Sequence, residues 1–169
     1  DYPCFRFGKE GYPGVDGQVY YKEGIFVGYR WFDTKRVAPL FPFGYGLSYT
    51  TFSYGKPRLS ATSMRAGGRI TVTVDVTNTG RREGKETVQL YISDERSSEE
   101  RPAKELRNFA KVSLKPGETK TVSFTVTAED LQFFSARRHR WVVEPGVFKA
   151  LVCASETDVR GVARFSVTD

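Results

Sequence analysis

Three runs in this chain alternate apolar and polar residues with a period of two, and that pattern commits the chain to β-structure. Ile70, Val72, Val74 and Val76 alternate with Thr71, Thr73, Asp75 and Thr77. Val88, Leu90 and Ile92 alternate with Thr87, Gln89 and Tyr91, and Val122, Phe124 and Val126 with Thr121, Ser123 and Thr125. Successive side chains of a strand point to opposite faces, so each run describes a strand with one face in a core and one toward water.

Turn signals separate these runs. Asn78-Thr79-Gly80 closes the first, and Lys115-Pro116-Gly117-Glu118 places a proline at the second position of a turn. A polar loop from Ser93 ends at Pro102, a residue suited to a sheet edge. Thr127, ahead of Glu129 and Asp130, predicts a cap on a single helical turn. Trp141-Val142-Val143, then Val147 to Ala154 after Glu144-Pro145-Gly146, and Ala163 to Val167 complete the strand candidates. About seven short strands at roughly 10-residue spacing predict an all-β, immunoglobulin-like sandwich over residues 55–169. No helix-period segment of helical length occurs, which excludes a parallel α/β fold.

Residues 1–54 are different. They hold eight of the nine tyrosines, seven of the thirteen phenylalanines and one of the two tryptophans. Gly8, Gly11, Pro13, Gly14 and Gly17 make the beginning a loop, Ile25 to Phe32 reads as a short strand, and Pro39 and Pro42 hold an extended path. Such a segment has no regular elements on which to build its own core. Each large aromatic side chain covers on the order of 150–250 Å² when packed, and a soluble monomer does not leave that much apolar area open. The expectation is an extended aromatic arm that covers a surface, partly the sandwich and partly something else. Tyr29, Trp31, Phe32, Phe41, Phe43, Tyr45, Tyr49 and Phe52 are its candidate interface residues.

Composition removes several functions. Net charge is +6, but 26 basic residues are interspersed with 20 acidic ones, and the densest basic run, Arg137-Arg138-His139-Arg140, comes with no nucleic-acid-binding motif. No apolar run is long enough to span a membrane as a helix. The chain opens at Asp1 without a leader, and is read as a piece or processed product of something longer. Two cysteines, Cys4 and Cys153, rule out a disulfide-rich scaffold or a four-cysteine zinc site; they either pair with one another or remain buried thiols.

No active site is legible. His139 is the single histidine and has no nucleophile near it in sequence. Asp94-Glu95 and Glu99-Glu100 lack calcium-loop spacing, Gly44-Tyr45-Gly46-Leu47 lacks the rest of a phosphate loop, and no pair of carboxylates can be nominated for glycoside hydrolysis. No catalytic residue, cofactor or metal is expected.

Longer motifs carry a resemblance. Tyr21 to Asp33 (YKEGIFVGYRWFD) and Pro39 to Phe52 (PLFPFGYGLSYTTF) resemble the C-terminal connecting segment of family 3 glycoside hydrolases, the β-glucosidases above all. Val74 to Gly80, Gly84 to Tyr91, Arg101 to Leu106, Phe109 to Val112, Leu114 to Thr119 and Val143 to Gly146 are similar to their fibronectin type III-like domain. The likeness runs from Tyr20 onward, while Tyr2 to Tyr20 departs from it with a glycine-rich insertion. It implies a non-catalytic structural domain of a secreted β-glucosidase. The upstream barrel and α/β domains, which would hold the catalytic aspartate and glutamate, are then its partners through the arm. No position here matches those catalytic motifs. The alternative expectation is an accessory module that adheres to polysaccharide, lignin or an acidic surface, suggested by the positive charge and exposed rings.

Overall fold

The computed structural model describes residues 7–169. Among these, eleven strands follow one another: β1 Phe52–Tyr54, β2 Arg58–Leu59, β3 Ser63–Arg65, β4 Arg69–Asn78, β5 Gly84–Asp94, β6 Glu105–Leu114, β7 Thr119–Thr127, β8 Phe133–Ser135, β9 Arg140–Val142, β10 Gly146–Cys153 and β11 Val159–Thr168. The six long strands β4, β5, β6, β7, β10 and β11 carry the sandwich; the others are short edge pieces and a small hairpin, β8–β9.

One sheet centres on β4, which pairs with β7 on one side and with β1 and then β2 on the other. The second runs in the order β3-β11-β10-β5-β6, with β3 and β11 parallel and the rest antiparallel. The turn at Lys115–Glu118 carries the chain from β6 in one sheet to β7 in the other, so the proline turn read from sequence is the point of crossing. Between the sheets lie Val72, Val74 and Val76 of β4, Phe124 of β7, Leu90 of β5 and the stacked pair Phe148 and Phe165. These are the alternate residues that the period-two runs marked as the core face.

Asn78 does more than start a turn. It is fully buried, its amide group donates to the carbonyls of Arg82 (2.7 Å) and Leu114 (2.9 Å), and its Oδ1 accepts from the Thr50 hydroxyl (2.6 Å) and the Gly80 N–H (3.0 Å). One side chain therefore joins the end of β4, the end of β6 and the incoming arm.

The structure corrects two expectations. The strand predicted over Ile25 to Phe32 is instead a turn followed by a six-residue helix, α1, Tyr29–Thr34. Gly24 (φ 57°) and Gly28 (φ 60°) turn the chain where a strand would run straight, and the helical spacing sets Tyr29 and Asp33 one turn apart for contacts with the sandwich. The β5 alternation also fails as an inside–outside pattern. Gln89 and Tyr91, predicted to face water, are buried along with Val88, Leu90 and Ile92, because the arm covers that face. The helical turn after Thr127 is present as α2, Ala128–Leu131, with a capping box between Thr127 and Asp130. The possible Cys4–Cys153 pairing involves Cys4, outside the described residues; Cys153 is a buried thiol whose pKa is pushed up to about 12 by burial.

Two measurements test this account. Asn78→Ala removes four hydrogen bonds at a buried joint and should lower stability by about 3 kcal/mol in urea unfolding; no loss would mean the joint is not structural. On the outer face of β4, Asp75 accepts from Arg58 of β2 and Thr121 of β7, and these bonds lower its pKa from 3.8 to about 2. That contribution is present above pH 3.8 and is lost as pH falls through about 2. Asp75→Asn should therefore flatten the decline in stability between those two values, read by acid titration of the unfolding midpoint.

The arm as a candidate interaction surface

The arm is fastened to the outer face of the five-stranded sheet before it offers anything outward. Lys104, in the loop before β6, is the centre of the fastening. Its Nζ donates to Asp33 of α1 (2.7 Å) and to the buried Glu156 in the β10–β11 turn (2.7 Å). Burial disfavours the ammonium, yet the two carboxylates outweigh that and raise the pKa of Lys104, so it stays charged. Around it, the Thr34 hydroxyl accepts from the Ala103 N–H (3.0 Å), the Tyr29 hydroxyl from the Leu106 N–H (2.8 Å), and the Phe43 carbonyl from the Glu156 N–H (2.8 Å).

Beneath these bonds the arm packs on β5. The Tyr29 ring meets Tyr91 edge to face at 5.7 Å and Phe43 at 5.4 Å, while the Tyr91 hydroxyl donates to Gln89 Oε1 (2.6 Å). Gly44 (φ 79°) lies against the Gln89 amide, and a methyl group there would collide with it. Burial raises the pKa of Tyr91, which remains a neutral phenol. Arg101 completes the loop: its guanidinium binds Asp94 (3.2 Å), Glu105 (3.0 Å) and the Leu131 carbonyl (3.2 Å), and lies over Phe133 at 5.3 Å. Glu105 in turn holds Arg107 (2.8 Å) and Arg30 of α1 (3.3 Å).

The eight arm residues singled out from sequence divide into two sets. Tyr29, Trp31, Phe32 and Phe52 are half-buried within the chain itself; Trp31 packs edge to face on Phe7 at 5.9 Å, and Phe52 rests on the core. Phe41, Phe43, Tyr45 and Tyr49 remain exposed, Tyr49 at 92 % and Phe41 at 65 %. Two residues that sequence reasoning passed over belong with them, since Leu40 and Leu47 are each 89 % exposed. Their isolation among aromatics hid them. Lys104, Asp33 and Glu156 were also missed as a unit. The motif containing Lys104 was visible, but nothing in its spacing joins residues 71 and 52 positions apart.

A groove of 560 Å³ separates the outer part of the arm from the sandwich, with Tyr45, Leu47 and Ser48 on one wall and Glu86, Lys111 and Arg160 on the other. Burial raises the pKa of Glu86, and its carboxylate accepts from the Tyr54 hydroxyl (2.7 Å). Asp158 is engaged with Arg160 (2.7 Å). Both acids thus serve internal ties. Among the described residues no three His, Cys, Asp or Glu side chains gather as metal ligands, and His139 stands exposed in the β8–β9 turn.

Lys104→Ala leaves Asp33 and Glu156 facing each other without a counter-charge. It should cost about 3–5 kcal/mol in urea unfolding of the chain. A cost below about 1 kcal/mol would mean that the arm is held by its ring contacts and the hydrogen bonds of Tyr29, Thr34 and Phe43 without need of the ion pairs.

The chain has clear relatives. A family profile described as the fibronectin type III-like domain matches residues 86–156. Beta-glucosidase BoGH3A of Bacteroides ovatus is 55% identical over 165 residues, covering 98% of this chain and 22% of that protein. Thermostable beta-glucosidase B of Acetivibrio thermocellus is 47% identical over 148 residues, covering 88% and 20%. A beta-xylosidase of Formosa agariphila is also 47% identical, over 152 residues, covering 85% and 20%. Among solved structures, beta-glucosidase 3B from Thermotoga neapolitana in complex with glucose superposes with a TM-score of 0.88 at 36% identity, over 100% of this chain and 23% of that one. The chain spans about a fifth of the length of the relatives it matches. Residues 86–156 match the fibronectin type III-like domain, and the chain from the arm to the last strand is similar to the C-terminal part of family 3 β-glucosidases.

Proposed function

We propose that this chain is the non-catalytic C-terminal domain of a β-glucosidase, an enzyme that hydrolyses terminal β-D-glucosyl residues, and that its arm clamps the catalytic domains of that enzyme. One observation carries the reading. The arm is locked on its inner side by Lys104, Tyr29 and Gly44, yet it holds Leu40, Phe41, Tyr45, Leu47 and Tyr49 out to solvent. Holding a rigid apolar strip in water has no benefit to the chain alone. It suits a surface that is buried against a neighbouring domain.

The partners in this reading are the upstream barrel and α/β catalytic domains, and the chain needs no cofactor of its own. Export of the parent enzyme belongs to the same proposal, supported by the periplasmic beta-glucosidase of Salmonella typhimurium, which is 44% identical over 131 residues; cell fractionation of the parent tests it.

The interface test uses Leu40→Ser, Leu47→Ser and Tyr49→Ser together. In this chain alone the three residues are solvent-exposed, so the unfolding midpoint should stay where it is. In the parent enzyme the same triple should lower the melting temperature of the catalytic region, since each large apolar side chain buried contributes about 1.5–3 kcal/mol. An unchanged parent melting temperature would remove the clamp.

A further inference from the structure

The β8–β9 hairpin plays no part in the arm or in the sandwich sheets, and it is built in two layers. Phe133, Ser135 and Val142 face inward: Val142 and Ser135 are buried, Phe133 lies under Arg101, and the Ser135 hydroxyl donates to Glu99 (2.6 Å) and accepts from the Arg138 N–H (3.2 Å). Phe134 and Trp141 sit directly opposite one another and face outward, edge to face at 5.8 Å, with exposures of 50 % and 61 %. The turn adds Arg137, Arg138 and His139, with Arg140 opening β9, all exposed.

None of the three guanidinium groups enters a hydrogen bond or salt bridge among the described residues, in contrast to Arg58, Arg101, Arg107, Arg160 and Arg164. Their field is nonetheless felt nearby. The Glu144 carboxyl is held below the usual range, first by the Ser98 hydroxyl and further by Arg138 and Arg137. Beside the turn lies a hollow of 420 Å³ lined by Ser98, Glu99, Ala136 and Arg137, with room for a sugar residue.

We propose that this hairpin is a binding site for an acidic polysaccharide, with Trp141 and Phe134 against sugar faces and Arg137, Arg138 and Arg140 on uronate carboxylates. A guanidinium fork matches a carboxylate in two parallel bonds, and an anchored aromatic ring offers an apolar face at little entropic cost. A uronate chain presents both features together. A nucleic acid fits less well. The edge-to-face pairing provides no row of parallel platforms for successive bases. The choice of a glycan rests on the reading that the chain works within a glycosidase. The hairpin residues are separate from Leu40, Leu47 and Tyr49, so a failed test at one surface is distinguishable from a failed test at the other.

Affinity electrophoresis of the full chain through gels containing polygalacturonate, cellulose derivative or laminarin, beside a titration with a DNA duplex, tests the site. The chain should be retarded by polygalacturonate and not by the two neutral glucans, with retardation falling as salt rises. Trp141→Ala should weaken binding about tenfold, the scale of one ring contact. Arg137→Gln, Arg138→Gln and Arg140→Gln together should abolish it, while the unfolding midpoints of both variants match the unsubstituted chain. No retardation by polygalacturonate, equal retardation by the neutral glucans, tighter binding to DNA, or an arginine triple that binds like the unsubstituted chain would each overturn the proposal. Unchanged binding by Trp141→Ala would overturn the stacking half.

Discussion

Strand β5 is buried on both faces, and the rest of the structure is arranged around that fact. Its inner residues, Val88, Leu90 and Ile92, complete the sandwich core in the ordinary way. Its outer residues, Gln89 and Tyr91, would be costly to cover with anything that left their polar atoms unpaired. The demand is met with polar chemistry from the sandwich and the arm together: Gln89 bonds the Tyr91 hydroxyl and the Ala154 carbonyl, and Lys104 passes over the Tyr91 ring at 5.7 Å to reach Glu156 and Asp33 of the arm. A second small core thus sits outside the sandwich, part aromatic and part ionic. The ionic part dictates where the arm lies, because a buried ammonium tolerates little displacement from its carboxylates.

Two surfaces result, with different chemistry. The arm beyond Pro39 turns its rings and leucines outward along one side, next to a polar groove, whereas the β8–β9 hairpin presents rings among unpaired arginines. Both depend on internal locking. Phe41 and Tyr45 can be held exposed because, between them, Phe43 is bonded to Glu156 and Gly44 lies close against Gln89. Trp141 can be held exposed because its neighbour Val142 is buried. Rigid presentation of an apolar side chain reduces what a partner must immobilise on binding.

The sandwich was legible in the sequence because its determinants are local. Alternation over ten residues of β4, a proline turn between β6 and β7, and a threonine cap before α2 can each be read from a short window, and each is present. The failures have one cause. Ile25 to Phe32 has the side chains of a strand, but glycines at 24 and 28 and a docking surface far along the chain make it turn and helix. Tyr91 reads as the water-facing residue of an amphipathic strand until the arm lies on it. The aromatic composition of the arm showed that it must cover something. Which rings go inward and which outward depends on Lys104 and Glu156, more than 50 residues apart in sequence from each other, and no local pattern contains that.

The position of the lock along the chain has a further consequence for assembly. The arm precedes the sandwich in sequence, but its receiving surface consists of Gln89 and Tyr91, then Lys104, and last Glu156. As the polypeptide grows, the inward-facing rings of the arm have no complete seat on the sandwich until the β10–β11 turn has been synthesised. The sandwich cannot close earlier either, since β11 supplies Phe165 and Val167 to its interior. Closure of the sandwich is therefore delayed until nearly the whole of this chain exists, and the inward side of the aromatic segment waits for its seat through that interval. Long sequence separation between the arm and its seat makes the docking step intrinsically slow. The ion pairs at Lys104 form in that final step, so the act that completes the fold is also the one that orders the arm's outward strip.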